Sequence, residues 1–133
     1  MRTLLNLLWM TIGGGFVIAA QYALGGLLLI LTVVGIPFGI QCMKLAVLAL
    51  WPFGKEIETL PGGAGEGALP LVANVFWFVF GGLTTFLSHL TLAAGLAVTI
   101  IGIPFAYQHL KLAVLALFPF GRRVVDERAA VGV

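Results

Sequence analysis

The chain of 133 residues is 61% hydrophobic and only 9% charged, with seven lysines and arginines against five acids and a net charge of +2. Soluble domains carry about 25% charged residues, so this composition and a mean hydropathy of +1.14 exclude an ordinary water-soluble protein and place the chain in a membrane. A pI near 9.0 does not imply nucleic acid, because the basic residues stand at the ends of apolar runs rather than in one patch, as membrane topology requires.

The N-terminal stretch opens with Arg2, then Leu4, Leu5, Leu7, Leu8 and Trp9 around Asn6; arginine with tryptophan suits a membrane interface. No short apolar core there ends in a small-residue cleavage site, so a removable signal peptide is not expected. Gly13-Gly14-Gly15 follows, matched later by Gly81-Gly82. Exposed loop backbone is not tolerated in lipid, so these glycines predict a bend or a close helix approach. Gly14 to Ile36 has the length of one span, interrupted by Gln21 and Gly25-Gly26.

Thr32 to Gly54, TVVGIPFGIQCMKLAVLALWPFG, returns as Thr99 to Gly121, TIIGIPFAYQHLKLAVLALFPFG. The chain is a tandem duplication. In each copy Gly-Ile-Pro breaks a helix, at Gly35 and Pro37 and again at Gly102 and Pro104, since the residue before proline leaves the α region and proline has no amide donor. A short apolar helix is expected beyond it, Gly39 to Trp51 or Ala106 to Phe118, and Pro-Phe-Gly stops it. Some 13 residues make roughly 20 Å, too short for a hydrocarbon core of about 30 Å. Either the break is a turn and the short helix a returning leg, or the turn lies near Gln21 to Gly26 and the break only kinks a long helix. The first is preferred, because glycine with proline stops a helix harder than paired glycine.

Lys55 to Leu69 reads as a flexible aqueous linker. The second copy then repeats the plan with Asn74, Trp77 and Gly81-Gly82, its middle made more polar by Thr84, Thr85, Ser88, His89 and Thr91. A charged tail with Arg122, Arg123, Asp126, Glu127 and Arg128 is expected to fray. The boundaries are therefore a membrane repeat over 1–54, a linker over 55–69, a second repeat over 70–121 and a tail over 122–133.

The repeated GIP and PFG elements, with Asn6-Leu-Leu-Trp9, Gly13-Gly14 and Gly121-Arg122-Arg123-Val124, resemble the YccF family of small bacterial inner-membrane proteins, over nearly the whole chain. The resemblance implies a bacterial inner-membrane location and two tandem modules; it implies no particular activity.

Within the apolar runs, Lys44 and Lys111 are the cations to explain. A charge at mid-membrane costs about 2.5 to 3.5 kcal/mol on insertion scales. Either the lysines snorkel to the interface, or they belong to a polar pathway with Gln41 and Gln108, which share their helix faces by three-residue spacing. Asn6 and Asn74, each three residues before a tryptophan, are expected to bond across helices. His89 is expected to hydrogen-bond between helices among Thr85, Ser88 and Thr91, and neither it nor His109 has a carboxylate or thiol at ligand spacing, so no metal or cofactor is expected. Cys42, whose place His109 takes in the second copy, is a small packing residue without a disulfide partner. Every carboxylate lies outside the apolar runs, which leaves no acid-base chemistry within them and argues against an enzyme.

The expected fold is all-α and polytopic: two tandem parallel repeats, each a long transmembrane leg, a GIP break and a short second leg. Arg2, Lys55, Arg122 and Arg123 on one side would make both termini cytoplasmic. Four short legs cover their polar residues poorly, so a homo-oligomer is expected in the bilayer. The function expected is an oligomeric pore or transport protein for small ions or solutes; the competing reading is a structural or accessory protein packed against an unknown membrane partner.

Overall fold

The computed structural model describes residues 1–61 and 67–127, and these are mostly helical. They divide into two compact units, Met1–Glu56 with the described part of Val124–Val133, and Ile57–Arg123.

Unit 1 begins with α1 (Arg2–Thr11) and α2 (Gly15–Leu31), which bend by 71° at the three glycines. Gly14 turns the corner with φ 79°. Helix α3 (Ile36–Leu50) then packs back along α2. The two backbones touch where glycines face each other: a Cβ on Gly39 would stand 2.5 Å from the Gly26 carbonyl oxygen, and one on Gly26 would stand 2.9 Å from that of Gly39. Such contact is how small residues let membrane helices gain dispersion energy.

The break between α2 and α3 is a turn, the first of the two arrangements. The Thr32 hydroxyl donates to Leu29 O at 2.7 Å and accepts from the Gly35 N–H at 3.0 Å, which closes the loop on the end of α2. Pro37 sits in the first turn of α3, where its missing N–H leaves no helix bond unmade. The helix therefore starts at Ile36, earlier than the expected Gly39.

Unit 2 contains α4 (Ala68–Trp77), a π turn over Phe78–Gly82, α5 (Leu83–Ala97), a 3-10 turn over Ile100–Gly102 and α6 (Ile103–Leu117). Here the other expectation, a close approach, is met, since a Cβ on Gly82 would stand 3.1 Å from Leu117 O, and the chain runs on without a bend, Ala68–Ala97. The sequence supplies the reason: Asn6 and Asn74 stand 68 residues apart but Thr32 and Thr99 only 67, and the missing residue falls where GGG becomes GG. A π turn absorbs two glycines without leaving the helix; the third glycine opens a corner. Buried Ala93 and Ala106 take the places of Gly26 and Gly39, and Thr99 repeats the closure, donating to Leu96 O at 2.9 Å and accepting from the Gly102 N–H at 3.1 Å.

The expectation of an all-α chain needs one correction. Lys55–Thr59 (β1) and Arg122–Asp126 (β2) form a two-stranded sheet in place of the start of the expected flexible linker and of the expected fraying tail; residues 62–66 of that linker and 128–133 of that tail lie outside the described residues. Gly54 and Gly121 take φ 89° and 81°, a left-handed turn that glycine adopts without steric cost, and each launches a strand. Within unit 1, Lys55 Nζ lies 2.7 Å from Asp126 Oδ1, Arg2 pairs with Glu127, and the Glu127 N–H reaches Gly54 O at 2.9 Å. Within unit 2, Arg123 Nε lies 2.8 Å from Glu58 Oε2 and the Leu60 N–H reaches Gly121 O at 2.8 Å. Partner numbers fall as strand numbers rise, so the strands are antiparallel, and the opposite charges set their register. The hydrogen bond from Lys55, with its charge, holds the Asp126 carboxyl below the ordinary carboxylate range. That support is present above the unfolded-state pKa and is lost as the pH falls through the lower folded one.

By length and composition, Ala68–Ala97 (30 residues) and Ile100–Leu117 (18 residues) are each able to cross a membrane; α1 with α2 would make a third crossing only as a broken span. Helix α3, with 15 residues, reaches about 22 Å and stays short of a full crossing.

Candidate functional site

The most fully built feature of each unit is an asparagine and a tryptophan that grip the end of the last helix. Pro52 ends α3 because it has no N–H to offer. In a continuing helix the Phe53 N–H would have bonded to Ala49 O; once the chain turns away, both groups are orphaned. Helix α1 answers both. Asn6 Oδ1 accepts from the Phe53 N–H at 2.9 Å, Asn6 Nδ2 donates to Phe53 O at 3.0 Å, and Trp9 Nε1 donates to Ala49 O at 2.6 Å. Asn6 and Trp9 are fully buried. Unit 2 repeats the set: Asn74 with Phe120 at 2.9 Å in both directions, and Trp77 with Ala116 O at 2.7 Å. The expectation of asparagines bonding between helices identified the residues, but their partners are backbone groups of the PFG turn. The signal was the shared spacing, Asn three residues before Trp and PFG far downstream.

The polar residues singled out by sequence are distributed along the hairpins. On α3, Gln41 and Lys44 are half-buried, and Gln41 Oε1 is buried without a hydrogen-bond partner among the described residues. On α6, Gln108 is buried, its Nε2 reaches Pro104 O at 3.4 Å, and its Oε1 likewise lacks a partner among the described residues. The half-buried Lys111 places its ammonium 5.9 Å from the centre of the Tyr107 ring one turn earlier. An apolar groove of about 360 Å³ lies between α2 and α3, floored by Ala19, Ala20, Ala23 and Ala46. Neither Gln41 nor Lys44 lines it, so the polar residues do not converge on that cavity.

His89 bonds across the hairpin, but not with the hydroxyls around it. Thr85, Ser88 and Thr91 donate to carbonyls one turn back on their own helix, whereas His89 Nδ1 lies 3.1 Å from His109 Nδ1. A separation of 20 residues hid this pair, since helical spacing links only residues three or four apart. No group of three or more His, Cys, Asp or Glu able to hold a metal occurs among the described residues.

A family model described as the inner membrane component domain YccF matches the chain twice, over residues 4–55 and 72–122. The curated "Inner membrane protein YccF" of Escherichia coli (strain K12) is 34% identical over 137 residues, covering 98% of this chain and 91% of that protein, and the protein of the same name from Shigella flexneri matches equally. No solved structure matches.

Proposed function

This chain belongs to the YccF family of inner membrane component domains, and we propose that it is an oligomeric pore or transport protein for small ions or solutes. The observation that carries the proposal is the pair of buried amide oxygens, on Gln41 and Gln108, that have no hydrogen-bond partner among the described residues. Leaving a buried acceptor unsatisfied costs about 1 to 3 kcal/mol, and a water-lined path or a facing copy of the chain supplies the donor. Lys44 and Lys111, three residues further along each helix, give that path positive potential and favour anions. No carboxylate lies in either apolar run to reverse the sign, and the proposal assigns the protein no catalytic step.

In this reading the protein is multi-pass, the repeats run parallel, and Arg2, Lys55, Arg122 and Arg123 keep both termini cytoplasmic. Reporters fused after Gly63 and after Val133 should then give the same cytoplasmic signal; opposite signals would mean inverted repeats. A second reading, an accessory protein that conducts nothing, has its own support. The Lys111 ammonium stands over a Tyr107 ring that is 55% exposed, as suits a lysine snorkelling along the helix surface.

Flux from loaded liposomes separates the two. The purified protein should pass anions, and its mass in mild detergent should exceed one chain. The Lys44→Gln, Lys111→Gln double variant should lose the anion preference. No flux across a range of voltage, pH and ions would sink the pore, and selectivity untouched by the double variant would strip the lysines of their role.

A further inference from the structure

His89 on α5 and His109 on α6 are 4% and 1% exposed, with ring centres 5.3 Å apart and both Nδ1 atoms turned to each other at 3.1 Å. In neutral imidazoles such a contact uses one proton, one Nδ1 donating and the other accepting. The fold itself does not require this pair. Counting back from Thr32 and Thr99, Tyr22 holds the place of His89 in unit 1, as Cys42 holds that of His109, and α2 and α3 pack into the same hairpin without an imidazole.

We propose that His89 and His109 form a two-coordinate site for a monovalent cation of the copper(I) class, both Nδ1 atoms being ligands. Neutral imidazole is a good ligand for copper. A metal–imidazole bond is about 2 Å, so a linear nitrogen–metal–nitrogen unit spans about 4 Å, and the two rings need part by only about 1 Å. A tetrahedral divalent ion wants four ligands, and the described residues hold no third His, Cys, Asp or Glu beside the pair. An ion satisfied by two ligands fits a histidine pair with no third side chain of these types beside it among the described residues, and a single charge carries the smaller burial penalty. The proton balance closes: on binding, the shared Nδ1 proton moves to Nε2 of its own ring, no proton leaves, and no electron moves. Tyr107 and Lys111, both on α6, are the titratable or charged groups that accompany the histidines on α4, α5 and α6. This site stands independently of the pore reading.

The test uses silver(I) as a redox-inert probe, titrated into the full-length protein in lipid nanodiscs with Cys42→Ala to remove the competing thiol. One silver should bind per chain, and in nitrogen-labelled protein both histidine Nδ1 resonances should split by coupling to the silver nucleus. His89→Tyr, which installs the residue of unit 1, should weaken binding roughly tenfold or more. Unsplit Nδ1 resonances, or no retained silver, overturn the proposal on the parent protein alone, whether or not the variant folds. Silver held with undiminished affinity by a folded His89→Tyr protein also overturns it.

Discussion

Asn6→Leu should destabilise unit 1 by about 2 to 4 kcal/mol, because it strips the part-buried Phe53 N–H of its acceptor and Phe53 O of a donor at once, each in the lower part of the range of about 1 to 3 kcal/mol for a stranded group because the site is only part-buried. Leucine has asparagine's branching and number of side-chain heavy atoms, so no cavity is left behind. Asn74→Leu should do the same in unit 2, where both bonds measure 2.9 Å. Denaturant titration in mixed micelles, followed by tryptophan fluorescence, reads the change directly: Trp9 and Trp77 donate from buried sites and should shift to the red as each grip opens. A change under about 0.5 kcal/mol, the range of an ordinary surface substitution, would mean that lipid or water replaces the amide at no cost and that the grip does not hold the unit together.

Gly35→Ala and Gly102→Ala should each cost about 3 kcal/mol or more, since overpacking a site that cannot relax is among the larger single-residue effects. A Cβ on Gly35 would lie 2.6 Å from Thr32 Oγ1 and overlap the Leu29 carbonyl; one on Gly102 would lie 2.5 Å from Thr99 Oγ1 and overlap the Leu96 carbonyl. These neighbours are backbone and a hydroxyl already fixed by two hydrogen bonds, so neither can yield. Gly25→Ala and Gly95→Ala provide the contrast. Both sit within helices with nothing inside 4 Å of an added Cβ, and each should gain up to about 1 kcal/mol of helix propensity. Folded yield and unfolding midpoints of the four variants should fall into two separate groups; equal behaviour would refute the turn geometry.

Much of this was legible from residues alone, and the limits have physical causes. The duplication, the helix breaks and the membrane class follow from local chemistry: glycine before proline, proline without an amide, and long stretches lacking charge. Asn6 and Trp9 could be picked out, but their partners could not, because Phe53 lies 47 residues away and Ala49 40, and both bonds end on backbone that every residue has. His89 and His109 were hidden by a turn between them. The strands at Lys55–Thr59 and Arg122–Asp126 were masked by composition: Lys-Glu-Ile-Glu-Thr reads as a solvated linker until Arg123 and Asp126 are opposite it. At the glycines the difference between a corner and a π turn depended on one residue, below what spacing rules resolve.

The grip of α1 on its own PFG turn also bears on how such a chain is made and inherited. A nascent unit 1 has nothing for Asn6 to hold until Phe53 has been synthesised, so a polypeptide halted earlier leaves α1 unengaged, and the pairing of Arg2 with Glu127 and of Lys55 with Asp126 comes later still. The same dependence limits which fragments of a gene are worth copying. A copy beginning after Trp9 would encode a turn that nothing holds, and one ending before Pro-Phe-Gly would encode a hand with nothing to grasp. The shortest heritable segment that closes on itself runs from the asparagine to that glycine, and it is this segment, Asn6 to Gly54 and again Asn74 to Gly121, that the chain carries twice.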